Sequence, residues 1–561
     1  MKPLDRLKTV SFRLLFSVII LSCSLTASLG IRRERLIDTW RPLNYVVNIT
    51  LDDRLTEIVE ARAEIEVLAL EKVSHIDLDF GDLTIDAVGL NANATQFDYK
   101  SGILDIKLPR QLEAGTRFTL TVAYHGKPKD GLILSSDKDG KPAAVGDNWP
   151  NRVHHWIPCL DHPSAKATIT FKITAPARDL VVANGQLAHV ETNASGTRTW
   201  TYTEGAPIPP YCMIVAVGEF AQSSASQPAV TPLLYYVPQS DSKFAVKGFA
   251  PSVPALQLFT ETVAPYPYEK LALIIGATRF GGMENSSAIV FTSTLFNPNP
   301  KARVSHAFGI PIGTVDVVAH EIAHQWFGDS VTESTWADLW LSEGFATYFA
   351  GLFLQRKEGE EAFQAYMKQA AETYFAYEKS TRTPIHDTDT EDLFKLLNAN
   401  NYQKGAWILH MLRSQLGDDV FFRGIRAYYN AHRNATANTE DLRKALEKSS
   451  GLDLREFFTR WIYGTGHPRY ELSWTWRNKT KRLKLVLRQL QPEPAFPNFV
   501  TVEISTGAGT QRVVLKPVSK ETIQEIRMNQ APTLINIDPG NQVLKEATVK
   551  GVRGLSMANE K

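Results

Sequence analysis

Apolar and polar positions alternate in the first part of the chain. Tyr45, Val47, Ile49 and Leu51 form one such series, and Ala63, Ile65, Val67 and Ala69 a second. Phe118, Leu120, Val122 and Tyr124 follow, then Ile169, Phe171 and Ile173. A period of two puts every apolar side chain on one face of a strand, so residues 31–224 are expected to form an antiparallel β domain. From 225 to 466 the spacing changes to three and four, and breakers become rare over Glu361–Ser380 and Thr390–Leu416. This stretch is expected to be mainly helical. Alternation returns over 467–550, in Leu472, Trp474 and Trp476, Leu483, Leu485 and Leu487, and Val500, Val502 and Ile504. A small β-sandwich is expected there, followed by a tail at 551–561. The predicted class is multidomain α+β.

Within the helical part, Val315, Val318, Ala319, Ile322 and Trp326 mark one helix face, with Thr314 as a plausible N-cap after Gly313 and Gly328 as a stop. His320 and His324 fall on the other face, four apart, so their imidazoles can meet at one point. A second helical stretch, Trp336 to Ala350, carries Glu343 among Leu339, Trp340, Phe345 and Ala346. A carboxylate on an apolar face is costly unless it is paired or bound to a metal. Two imidazoles and a carboxylate suit one catalytic Zn²⁺ per chain, and Glu321, beside the first histidine, is placed to act as general base on a water. The plain alternative is a buried histidine pair. With 13 histidines in the chain, a chance His-Glu-x-x-His arises roughly once in a hundred such sequences, but that alternative gives no reason for Glu343.

The 561 residues carry a net charge of +1, with 43% hydrophobic and 22% charged residues. That is ordinary globular composition for several domains, and without a basic run it offers no footprint for nucleic acid. The start of the chain differs. Lys2, Arg6, Lys8 and Arg13 precede Leu14–Ile31, which has no charge, the pattern of a secretory signal over 1–30. Cleavage after Ser28-Leu29-Gly30, lipidation at Cys23 and retention as a signal anchor are the three outcomes it allows. Each makes the protein extracytoplasmic, periplasmic or secreted, with a membrane contact only through that segment. Besides Cys23, only Cys159 and Cys212 remain. Export permits a disulfide between them, and two buried free thiols are equally compatible. Asn-x-Ser/Thr triplets at Asn48, Asn93, Asn193, Asn285, Asn434 and Asn478 matter only in a eukaryotic secretory pathway.

Upstream of the histidine pair lies Gly281-Gly282-Met283-Glu284-Asn285, and downstream Trp340-Leu341-Ser342-Glu343-Gly344. In this order the chain resembles the zinc aminopeptidases of the aminopeptidase N and leukotriene-hydrolase family. Their signatures are Gly-x-Met-Glu-Asn, and His-Glu-x-x-His followed by eighteen residues and Glu. Pro158-Cys159-Leu160-Asp161, Pro265-Tyr266-Pro267-Tyr268 and Tyr402-Gln403-Lys404-Gly405-Ala406 extend the resemblance over most of the chain. It implies a thermolysin-like catalytic domain with zinc on His320, His324 and Glu343, and Glu321 as the base. It also implies Tyr402 as donor to the oxyanion and Glu284 on the α-ammonium of a peptide with a free amino terminus. Gly281, Gly282, Met283 and Asn285 would carry the substrate backbone, and Phe280 would wall the pocket for its first side chain.

Two departures stand out. Relatives supply a second group for the amine from Thr-Gln-x-Glu or Thr-Gln-x-Gln, where this chain has Gly146-Asp147-Asn148-Trp149-Pro150. Asp147 or Asn148 is the expected substitute. Larger relatives also roof the cleft with a C-terminal helical domain, absent here after the small β domain, so a more open cleft is expected. A zinc endopeptidase and a non-catalytic scaffold of the same architecture are the competing functions. Glu284 in its motif disfavours the first, and the complete ligand set disfavours the second. An epoxide-hydrolase side activity has no sequence feature behind it.

Overall fold

The alternating segments of the first domain assemble into one eight-stranded sheet. The computed structural model describes residues 32, 34–226, 229–297, 299 and 313–552. The expected signal segment and the chain after Val552 lie outside these residues. Trp40–Leu51 runs between Ile58–Ala69 and Ala167–Pro176. Its register sets Tyr45 beside Ile65 and Ile169, and Val47 beside Ala63 and Phe171. All six are buried, so the alternation read from sequence is the inward face of this sheet. The sheet is mixed, which corrects the expectation of antiparallel pairing throughout: Trp40–Leu51 and Ala167–Pro176 are parallel. Parallel neighbours need a long crossover, and residues 52–166 provide it with strands of their own.

The central domain is built on a five-stranded sheet. Its order is Phe220–Ser224, Leu233–Pro238, Leu271–Gly276, Ala288–Thr292 and Gly282–Met283. Phe220–Ser224 therefore belongs to this domain, and the boundary falls before Phe220 rather than after Ser224. The three middle strands are parallel, and Ala288–Thr292 is buried at every position, as expected when both faces are covered. The short Gly282–Met283 strand pairs antiparallel at the edge and leaves its outer backbone facing the helices.

Thr314–His324 packs on that edge, and the domain's other helices include Ser252–Thr262, Trp340–Glu358, Glu360–Glu378, Gly405–Leu416, Asp418–His432 and Thr439–Ser450. Gly313 is the N-cap and Thr314 the first helical residue, and the helix ends at His324, short of Gly328. The expected long helix from Thr390 is broken. A 3₁₀ turn, Leu393–Leu396, and a π turn, Asn400–Lys404, precede Gly405–Leu416. Polar side chains compete for the backbone here. Asp392 accepts from the Phe394 amide, Asn398 from the Asn400 amide, and Asn401 donates to the Leu396 carbonyl at 2.7 Å. No described helix is long and apolar enough to cross a membrane.

The last domain has a four-stranded and a three-stranded sheet. Leu472, Leu483, Leu485, Val502, Ile504 and Ile535 from both sheets share one buried core, continuous with that of the helices. Polar ties cross the same seam: the Trp461 indole N–H donates to Asn498 Oδ1 at 2.9 Å, and His410 Nε2 lies 3.1 Å from the Asn541 carbonyl. Cys159 and Cys212 are buried and free, which settles the disulfide alternative against pairing.

Candidate active site

Helix periodicity delivers the first two side chains. His324 Nε2 lies 3.0 Å from His320 Nε2, and Glu343 Oε2 lies 3.2 Å from His320 Nε2 and 3.4 Å from His324 Nε2. A tetrahedral zinc with bonds of about 2.0–2.1 Å holds its ligand atoms about 3.3–3.5 Å apart, so this triangle is nearly one face of its coordination shell. On its far side, His324 Nδ1 lies 3.1 Å from the Phe327 carbonyl and 3.0 Å from Ser342 Oγ. A proton on Nδ1 donated to that carbonyl leaves Nε2 as a bare lone pair, the form a metal requires. The cavity around the triad, about 460 Å³, is lined by Glu284, Glu321, Glu343 and Asp316 and, among the described residues, by no lysine or arginine. This donor set, carboxylate-rich and short of cationic side chains, fits a divalent cation.

Glu321 projects from the helix toward the sheet edge. A methyl group on Gly282 would sit 2.4 Å from the Glu321 carboxyl carbon, so only glycine lets the edge strand pass that close. Burial raises the Glu321 carboxyl well above its ordinary range, opposed by His324 and reinforced by Glu284 and Glu343. Glu284 lies just past the end of that strand, two residues after Gly282. Burial raises it too, with His324 opposing. Glu284, Glu321 and His324 each offer an atom within 4.8 Å of the others.

Gln325 holds Glu284 in place. Its amide donates to the Glu284 carbonyl at 2.8 Å and to Asp329 Oδ2 at 2.7 Å. Its oxygen accepts from the Ser287 amide at 2.8 Å and the Tyr266 hydroxyl at 3.0 Å. One fully buried side chain thus locks the Met283-Glu284-Asn285 turn to the end of the histidine helix.

Tyr402 arrives from the π turn. Its ring lies parallel to that of His320, with centroids 5.9 Å apart, and π turns of this kind recur at functional sites. The approach depends on a pair of glycines: a methyl on Gly344 would lie 2.9 Å from the Gly405 Cα, and one on Gly405 equally close to the Gly344 Cα. Gly344 follows Glu343, and Gly405 lies three residues after Tyr402, so this contact brings the tyrosine to the triad. Burial, then the charge of Glu343, raises the Tyr402 hydroxyl well above its ordinary range, so it remains a proton donor.

Phe280, Gly281, Gly282, Met283, Glu284, His320, Glu321, His324, Glu343 and Tyr402 all line the one cavity. Asn285 does not line it; its side chain turns back to donate to the Met283 carbonyl at 3.3 Å. Asp147 and Asn148, expected to supply a second group for the amine, are also turned away. Asp147 accepts from Arg152 Nη2 at 2.9 Å and Thr278 Oγ1 at 3.0 Å, and Asn148 accepts from the Trp156 indole at 2.9 Å and donates to the Met213 carbonyl. Trp149 is the residue this loop presents to the cavity. Sequence reasoning missed Trp149, Gln325 and Ser342. Their one sequence signal is adjacency, next to Asn148, His324 and Glu343.

Residues 251–461 match the model of the peptidase family M1 domain, and residues 41–212 that of the peptidase M1 N-terminal domain. "Probable aminopeptidase 1" of Saccharolobus solfataricus is 28% identical over 413 residues, 70% of this chain and 50% of that protein. "Aminopeptidase M1" of Arabidopsis thaliana is 27% identical over 468 residues, 80% of this chain and 49% of that protein. "Aminopeptidase M1-A" of Oryza sativa subsp. japonica is 30% identical over 380 residues, 65% of this chain and 42% of that protein. The chain spans about half the length of the curated relatives it matches.

Proposed function

The chain belongs to peptidase family M1, and from that premise we propose that it is an exported zinc aminopeptidase, removing the first residue from peptides with a free α-amine. One observation carries the reading. The Glu284 carboxylate lies within 4.8 Å of the catalytic carboxylate Glu321 and the ligand His324, a span that accommodates the amine and Cα of a single residue. An endopeptidase needs that space for upstream residues. The uncharged Leu14–Ile31 segment behind its basic start supports export.

Positions in the cavity support each proposed role. Glu284 makes a charge-assisted bond to the substrate α-ammonium, which an internal amide cannot match. The backbone edge at Gly281, Gly282 and Met283 receives the extended substrate as an added strand. His320, His324 and Glu343 would hold the zinc, which supplies the Lewis acidity that amide hydrolysis needs. Glu321 accepts the proton of the attacking water and passes it to the departing amine. The Tyr402 hydroxyl donates to the former carbonyl oxygen as negative charge collects there.

The test is Glu321→Gln. It should keep about one zinc per chain, because the three ligands remain, and lose nearly all turnover of an aminoacyl reporter. A metal-loaded Glu321→Gln protein that still turns over refutes the assignment.

A further inference from the structure

The cavity that holds Glu284 is also lined by Trp149 and Phe280, which belong to an aromatic cluster. Trp149 meets Trp336 at 5.6 Å, Phe394 at 5.7 Å and Phe280 at 6.1 Å between ring centroids, each near perpendicular. Trp149, Phe280, Met283 and Leu396 are buried in one apolar cluster, with Phe394 and Leu397 packed against it. Two cations, Arg152 and Arg279, lie over the Phe394 ring at 5.8 and 6.0 Å. Both are paired with Asp130, at 2.6 and 2.9 Å. The backbone of the loop is fixed as well, since Arg152 Nε donates to the Trp149 carbonyl at 2.8 Å. Trp149 is therefore a rigid wall.

Substrate geometry points the first side chain at this wall. Glu284 fixes the α-ammonium, and the metal ligands and Tyr402 fix the first carbonyl. The Cα lies between them, so its side chain is directed beside Glu284, onto Met283, Phe280 and Trp149. A charged side chain packed on these apolar residues would lose its water, and the Glu284 carboxylate beside them is already engaged by the ammonium. Resting on the aminopeptidase reading, we propose that Trp149 is a specificity-determining residue, walling the subsite for the first side chain and selecting peptides that begin with a large, uncharged apolar residue such as Phe, Leu or Met. Asp147 and Asn148 serve this wall as its buried support.

The experiment compares zinc-loaded wild type, Trp149→Ala and Trp149→Phe on Phe, Leu, Ala, Arg and Glu aryl-amide reporters. Calorimetry of L-phenylalaninamide and L-argininamide runs alongside. For wild type, kcat/KM for Phe and Leu should exceed that for Arg and Glu by on the order of 100-fold. In Trp149→Ala the Phe-to-Ala ratio should fall by about 10-fold or more, and Trp149→Phe should fall between. If Trp149→Ala does not fold, the shift in Trp149→Phe decides. A wild type that prefers Arg or Glu, or Trp149 variants that lower every reporter in the same proportion, overturns the proposal. Should wild type hydrolyse no reporter, the aminopeptidase reading itself has failed, and calorimetry then decides about the subsite. Tighter binding of phenylalaninamide that weakens in Trp149→Phe upholds it, and equal binding of the two amides overturns it.

Discussion

Gly405→Ala tests how Tyr402 is brought to the His320, His324 and Glu343 cluster. The added methyl would lie 2.9 Å from the Gly344 Cα, whereas carbon atoms pack best at about 3.5–4.0 Å. The two segments must then separate by roughly 0.6–1.1 Å. The obstacle is backbone, so no side-chain rotation relieves it. Overpacking of this kind costs about 1–3 kcal/mol, readable in chemical denaturation. Tyr402, one turn earlier, shifts with the segment, away from His320 and Glu343. A displacement near 1 Å is expected to lower kcat on the order of 100-fold. KM should change less, because Glu284 sits on the sheet edge and is untouched. Zinc content should hold, because the methyl disturbs no ligand side chain directly. The assay is kcat and KM on a free-amine aminoacyl reporter, with metal analysis and denaturation of the same preparation. Wild-type kcat together with wild-type stability would refute the reasoning: the glycine contact would then not be what positions Tyr402.

Tyr402→Phe keeps the ring stacked on His320 and removes one donor. It should lower kcat about 10²–10³-fold with stability and zinc little changed, and near-wild-type turnover would return this residue to core packing. Gln325→Leu leaves the Glu284 carbonyl, the Ser287 amide, Asp329 and the Tyr266 hydroxyl without their buried partner. Stability should drop by about 3–5 kcal/mol and KM for free-amine peptides should rise; an unchanged KM would separate Gln325 from the amine site. His410 concerns acid stability. Burial lowers it to about 4, against the opposing bond to the Asn541 carbonyl. Above pH about 6.5 the group is neutral folded and unfolded and contributes nothing. As pH falls from there to 4, the unfolded chain takes the proton first, and about 3 kcal/mol of stability is lost. His410→Gln should flatten that part of the profile, measured as denaturation midpoints at pH 7 and 4.5; an identical acid slope would rule this histidine out.

The grouping of His320, His324 and Glu343 was legible because helix geometry converts spacing into direction. His320 and His324, four apart, have one arrangement on a helix, and Glu343 on an apolar face has few uses other than ligation. Period-two positions such as Tyr45, Val47 and Ile49 gave the inward face of the large sheet for the same reason. What stayed hidden depends on partners distant in sequence. Which of Asp147, Asn148 and Trp149 faces the cavity is decided by Arg152, Thr278, Trp156 and Met213, and no local pattern encodes that choice. The parallel pairing of Trp40–Leu51 with Ala167–Pro176 reflects a crossover of more than a hundred residues. The break before Gly405 is local, yet apolar periodicity is blind to it, because asparagine side chains rather than burial set that turn.

The central claim, a carboxylate reading the amino terminus one residue from the metal ligands, is tested most directly with a pair of otherwise identical peptides. One has a free α-amine and the other is Nα-acetylated. With zinc-loaded protein, products are followed by mass. The account predicts loss of single residues from the free peptide and no cleavage of the acetylated one. Cleavage of the acetylated peptide at internal bonds, at a rate comparable to the free peptide, would contradict it.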